Sequence, residues 1–225
     1  MTTQTDRRRA LAALSLLSVL PAVSPAQPAV PDAGIDYREL KPALPSAAGR
    51  RIEVIDFFWY GCPHCARFEP ELEAWRKRQG ADIAYVRSPV DFDQPGRMLH
   101  ARLYHALEAL GRAEELHPKL FELILGDRRL LTSPTADGIA DAMASLGIDR
   151  RQWREAFDGF STVTRARRSA QLWKDYRIDG TPAVGIHGRY VTSPSMVAGR
   201  MRAIAVVDHL VARLRSASGA VPGRG

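Results

Sequence analysis

Cys62 and Cys65 are the only two cysteines of the 225-residue chain, and they fall together in Cys62-Pro63-His64-Cys65. The motif follows an apolar run, Ile52 to Tyr60, and Gly61, and it opens a helical pattern. Cys62 is therefore expected where the first turn leaves backbone N–H groups without acceptors and the helix dipole is positive. Both effects favour a thiolate, which makes this sulfur the better nucleophile and the better leaving group. Cys65, Phe68, Leu72 and Trp75 recur at spacings of three, four and three, one stripe of a helix, so the second sulfur is expected to face the core. Arg67, Glu69, Glu71, Glu73 and Arg76 fall mostly off that stripe and read as solvent-facing, while Pro70 is expected to interrupt and kink the helix. His64, on the first turn, is placed to stabilise the Cys62 thiolate through its imidazole. One exposed and one sheltered sulfur make an attack-and-resolve pair.

Two plainer readings compete. A structural bridge across so short a loop constrains the unfolded chain little. A zinc site needs two more ligands, yet His100, His105, His117, His187 and His209 form no H-x3-H pair and no second C-x2-C exists, so no metal is expected. His100, His105 and His117 lie in helical patterns, where a histidine is usually structural. No flavin or nicotinamide signature appears, so no cofactor is expected either.

The elements that position the motif can be read along the chain. Residues 27–34 are rich in proline and small residues and read as a linker without fixed structure. Ile35 to Leu40 is expected to form a short edge strand. Ile52 to Tyr60 is apolar on both faces, as in a strand between helix layers, except at Asp56, where a buried carboxylate needs a raised pKa or a partner. A second strand is expected over Asp82 to Val90. Five helical patterns follow: one on Leu99, Leu103, Leu107 and Leu110; one after Pro118, read as a first-turn residue; one ending at Gly147; one on Trp153, Phe157 and Phe160; and one from Val163 towards Tyr176. Gly180-Thr181-Pro182 then opens a hairpin, Ala183 to Ile186 and Tyr190 to Thr192, before a last helix carrying Ile204, Val207, Leu210, Val211 and Leu214.

The segment Phe57-Phe58-Trp59-Tyr60-Gly61-Cys62-Pro63-His64-Cys65, with Gly180-Thr181-Pro182 downstream, resembles the DsbA family of periplasmic thiol–disulfide oxidoreductases over roughly residues 35 to 215. The resemblance implies an α/β fold: a thioredoxin fold, with a central mixed sheet flanked by helices, interrupted by an all-helical insertion. On that basis residues 27–95 plus 170–216 form the thioredoxin-like domain, and 96–169 form the insertion. It also implies a site of Cys62, Pro63, His64 and Cys65, with Asp56 relaying the proton of Cys65 and a cis Pro182 beside the sulfurs. Thr181 and Pro182 would then offer backbone groups to an extended substrate segment. Asp56 stands where the family's type member has glutamate, and Thr181 where many members have valine. Reduced exported proteins are the implied clients, a quinone-linked membrane protein of the DsbB type the implied oxidant, and a monomer the expected state. A disulfide isomerase or reductase would share the site, and a metal carrier would need both cysteines unpaired.

The address agrees. Arg7-Arg8-Arg9, the apolar run Ala10 to Leu20 and the small residues to Ala26 read as a secretory signal peptide, 1–26, cleaved on export to the periplasm. Residues 217–225 read as a flexible tail. The formal charge is +7, and losing residues 1–26, with three arginines and one aspartate, lowers it to +5. The arginines are scattered and only four lysines occur, so no nucleic-acid surface is expected.

Overall fold

The computed structural model describes residues 30–217, so the expected signal peptide, 1–26, and the expected tail after Ala217 lie outside the described residues. The described residues open with a turn at 32–37, so the described part of the expected 27–34 linker is ordered in part, and residues 27–29 lie outside the described residues. Asp32 N–H caps onto the Asp36 carboxylate at 2.9 Å, and Ala33 bridges Tyr37. The edge strand β1 follows at Arg38–Glu39, then β2 at Ile52–Phe58, helix α1 at Pro63–Lys77 and β3 at Ile83–Pro89. Six helices come next: α2 Pro95–Ala109, α3 Ala113–Gly126, α4 Arg128–Thr132, α5 Ala136–Ser145, α6 Arg150–Asp158 and α7 Phe160–Asp175. Strands β4, Ala183–Ile186, and β5, Tyr190–Thr192, and helix α8, Arg200–Ala217, complete the fold.

The sheet order is β1-β5-β4-β2-β3, with β2 and β3 parallel and the other pairs antiparallel. All seven residues of β2 are buried, as its two-sided apolarity requires. Side chains alternate along it: Ile52 and Val54 join the core under α1 and α8, whereas Ile55 and Phe57 pack with Tyr176 and Ile178 on the other face. Asp56 shares the face of Val54. Phe58 and Tyr60 enter a third cluster with the insertion, including Leu103, Leu107 and Trp153. His187 and Gly188, at φ of 50° and 66°, take the left-handed backbone that the three-residue β4–β5 turn, 187–189, requires. Leu44 leaves no room for a side chain at Gly188.

Four local expectations are corrected. Helix α1 runs through Pro70 unbroken, because the proline removes one donor while Phe68, Leu72 and Trp75 still anchor the buried stripe. Pro118 lies inside α3 rather than in its first turn; Glu114 and Glu115 form that turn and suit its positive end. Phe160 is 87 % exposed and starts α7, since the chain turns extended at Gly159. The additional helix is α4, which exists because the Asp127 carboxylate accepts from Arg129 and Leu130 N–H at 2.7 and 3.2 Å. Helix α7 is continuous across residues 169 and 170.

Candidate active site

Cys62 is the N-cap of α1, in extended backbone, with Pro63 at the first helical position, where no N–H bond is lost. Its Sγ accepts from Cys65 N–H at 3.4 Å, as a serine or aspartate would at this position. Across the fold, the Cys62 thiol reaches the Thr181 carbonyl at 3.3 Å, and the Thr181–Pro182 bond is cis. The register explains the meeting: Ala183 of β4 pairs with Phe57 of β2, so Thr181 and Pro182 run alongside the loop that ends in Cys62. Both cysteines are free and buried.

The two sulfurs are driven apart in acidity. Cys62 is lowered from 9.0 to about 5, chiefly by a hydrogen bond from the Cys65 thiol, against burial; the Cys65 main chain, the Thr181 side chain and the His64 main chain assist. Cys65 is pushed well above 9.0 by burial and by the neighbouring Cys62. It is the main chain of His64 that faces the Cys62 sulfur. Its imidazole is exposed, and its Nδ1 accepts from the Arg67 guanidinium at 2.9 Å.

Asp56 is 2 % exposed, beside Arg87 on β3 and Val184 on β4. Burial raises its pKa well above 3.8, Glu69 raises it further, and Arg87 opposes. Its Oδ1 has no hydrogen-bond partner.

Around Asp56 lies a network that the sequence reading missed. Glu69 is buried, not solvent-facing, and accepts from Arg87 at 2.8 Å. Arg87 also donates to Glu73 and Glu114, at 3.1 and 2.9 Å. His117 lies with Nε2 3.3 Å from Glu69 Oε2, and its Nδ1 is 2.9 Å from the Tyr60 hydroxyl. The signal for Glu69 was present: it stands four residues after Cys65, on the same helical stripe. The donor atoms of Asp56, Glu69 and His117 converge within 4.8 Å of one another. They do not fit a metal ion, because the Arg87 guanidinium already occupies Glu69 at hydrogen-bond distance and would repel a second cation there.

His100 accepts from the Trp59 indole at 2.9 Å and bonds the Leu130 carbonyl, and His105 bonds Glu108 and Ser169, so both brace the helical layer. Two openings flank the dithiol loop and the cis-proline loop. One, of about 620 Å³, is bordered by Trp59, Gly61, Arg97 and Leu131; the other, of about 260 Å³, by Gly180, Ala183 and Met196.

A mixed sheet with a Cys-x-x-Cys pair capping the first long helix, faced by a cis-proline loop, defines a thioredoxin-fold dithiol oxidoreductase. The DSBA-like thioredoxin domain family matches residues 97–211. The chain is 38 % identical to the thiol:disulfide interchange protein DsbA of Burkholderia cepacia over 200 residues, 88 % of this chain and 93 % of the relative. With the protein of the same name from Bordetella parapertussis it shares 39 % over 180 residues, 80 % and 84 % of the two chains. The crystal structure of Pseudomonas aeruginosa DsbA superposes with a TM-score of 0.78 at 29 % identity, covering 84 % of this chain and 96 % of that one. The chain belongs to the DsbA family of thiol:disulfide oxidoreductases.

Proposed function

We propose that the protein donates a Cys62–Cys65 disulfide to reduced exported proteins in the periplasm. The observation that carries this reading is the contrast between a Cys62 that ionises at about 5 and a Cys65 held as a thiol. A client thiolate attacks Cys62 Sγ, the Cys62–Cys65 bond breaks, and Cys65 leaves as a thiolate that takes a proton from the Asp56 carboxyl. A second client thiolate then attacks the client sulfur of the mixed disulfide and expels Cys62 as a thiolate. The client gains a disulfide and the protein gains two electrons. A stable Cys62 thiolate favours the reduced protein and so makes the disulfide oxidising.

Thr181 and Pro182 line the approach to Cys62, and the main chain there is suited to hold an extended client segment by strand addition. Reoxidation falls to a membrane oxidase of the DsbB type, reached by the protein as a monomer after signal cleavage. Among the described residues no helix is long and apolar enough to cross a membrane.

Equilibration with glutathione buffers tests the direction. An oxidase remains largely reduced under buffers that keep ordinary dithiols oxidised, and it oxidises a reduced two-cysteine peptide stoichiometrically. A protein no more oxidising than an ordinary dithiol would instead be the isomerase or reductase that shares this site.

A further inference from the structure

Two buried carboxylates, Asp56 and Glu69, converge behind the dithiol, and only Glu69 is hydrogen-bonded by the Arg87 guanidinium. Arg87 donates to Glu69 at 2.8 Å, and His117 Nε2, itself without a completed hydrogen bond, lies 3.3 Å from the other Glu69 oxygen, whereas among the described residues no cation lies within ion-pair distance of Asp56, whose Oδ1 has no partner. Like charges so close in a dry site cannot both persist, so the pair holds one proton, and the surroundings decide which member carries it. We propose that His117 is a positioning residue of the thiol–disulfide reaction: by holding Glu69 as the carboxylate, it places the shared proton on Asp56, where Cys65 can receive it. This rests on the reading of Asp56 as proton donor.

The surroundings of the imidazole suit that part. Its Nδ1 lies 2.9 Å from the Tyr60 hydroxyl, and in the neutral tautomer that accepts there the ring carries its proton on Nε2, the nitrogen beside Glu69. Burial keeps the ring neutral, since it lowers the His117 pKa. Charged and titratable groups reach the pair from every packed element. Arg87 and Tyr85 come from β3, Tyr104 from α2, Glu73 from α1 and Glu114 from α3 itself. Arg87 is shared among Glu69, Glu73 and Glu114, so it neutralises Glu69 only in part and leaves a function for the imidazole.

The native protein gives the first test. Carboxyl ¹³C shifts at pH 7 should report Asp56 protonated and Glu69 ionised; the reverse assignment overturns the proposal. The second test is the pH profile of mixed-disulfide formation with a reduced cysteine peptide, read by quenched-flow. His117→Leu should move the alkaline limb down by about one pH unit and slow the reaction roughly tenfold at pH 7.5. His117→Gln keeps a donor to Glu69 and should restore the profile. A wild-type profile in His117→Leu, with an altered one in Asp56→Asn, sinks the role of His117 and spares the relay. An unaltered profile in Asp56→Asn removes the relay, and this proposal with it.

Discussion

Lowering Cys62 from 9.0 to about 5 leaves the sulfur ionised over almost the whole range in which proteins are handled. The rate of Cys62 alkylation by iodoacetamide should therefore rise through a midpoint near pH 5, followed by mass spectrometry or by thiolate absorbance. A midpoint near the free-cysteine value of about 8.5 would contradict the geometry. Cys65→Ala removes the largest single contribution and should raise that midpoint by more than one pH unit. At this scale the sequence was partly legible. Cys62, Cys65 and Asp56 could be found because a motif or a break in an apolar run marks them, and the cap position of Cys62 follows from Gly61 and Pro63. The imidazole of His64 lies on Arg67, and whether a first-turn side chain turns to the sulfur or to Arg67 depends on rotamers that spacing does not encode. The partnership of Glu69, Arg87 and His117 was illegible, because those residues meet from three elements separated by tens of positions.

At the scale of elements, the loop into α1 is fixed by packing as much as by capping. A methyl group on Gly61 would collide with the Trp59 ring and the Leu131 side chain, so Gly61→Ala should cost roughly 1–3 kcal/mol in urea denaturation and shift the N-cap geometry at Cys62. Arg87 ties β3 to α1 and α3 through three carboxylates and is 6 % exposed. Arg87→Leu leaves Glu69 charged without its guanidinium and should cost about 3–5 kcal/mol, measured by the same unfolding curves. The hairpin, β2 and α8 were readable from period and turn residues. The insertion was readable as helical but miscounted by one, since α4 is only five residues long and owes its existence to the Asp127 cap.

At the scale of the whole molecule, the chemistry of one sulfur becomes a stability difference between two redox forms. In the unfolded reduced chain Cys62 ionises near 9, and in the folded one near 5. Its contribution is therefore full above pH 9, declines as the pH falls between those values, and is gone below about 5. At pH 7 it is about 2 kcal/mol after discounting for the solvent that reaches the sulfur. The oxidised protein has no thiolate and no such contribution. The excess stability of the reduced form, measured by paired denaturation curves, should fall on acidification from pH 8 to pH 4.5 and then level off; a difference independent of pH would refute the linkage. The layered architecture itself was visible early, because a strand apolar on both faces demands cover on both sides.

Helix α7 carries the chain from the helical layer back to the sheet without a break. It ends where Tyr176 is wedged against Phe57 and receives the Gly188 N–H at 2.8 Å, five residues before Thr181. The helical layer and the cis-proline loop are thus joined through one unbroken helix. A displacement of the layer along α7 is therefore carried towards Thr181, so the two halves of the fold move as one lever.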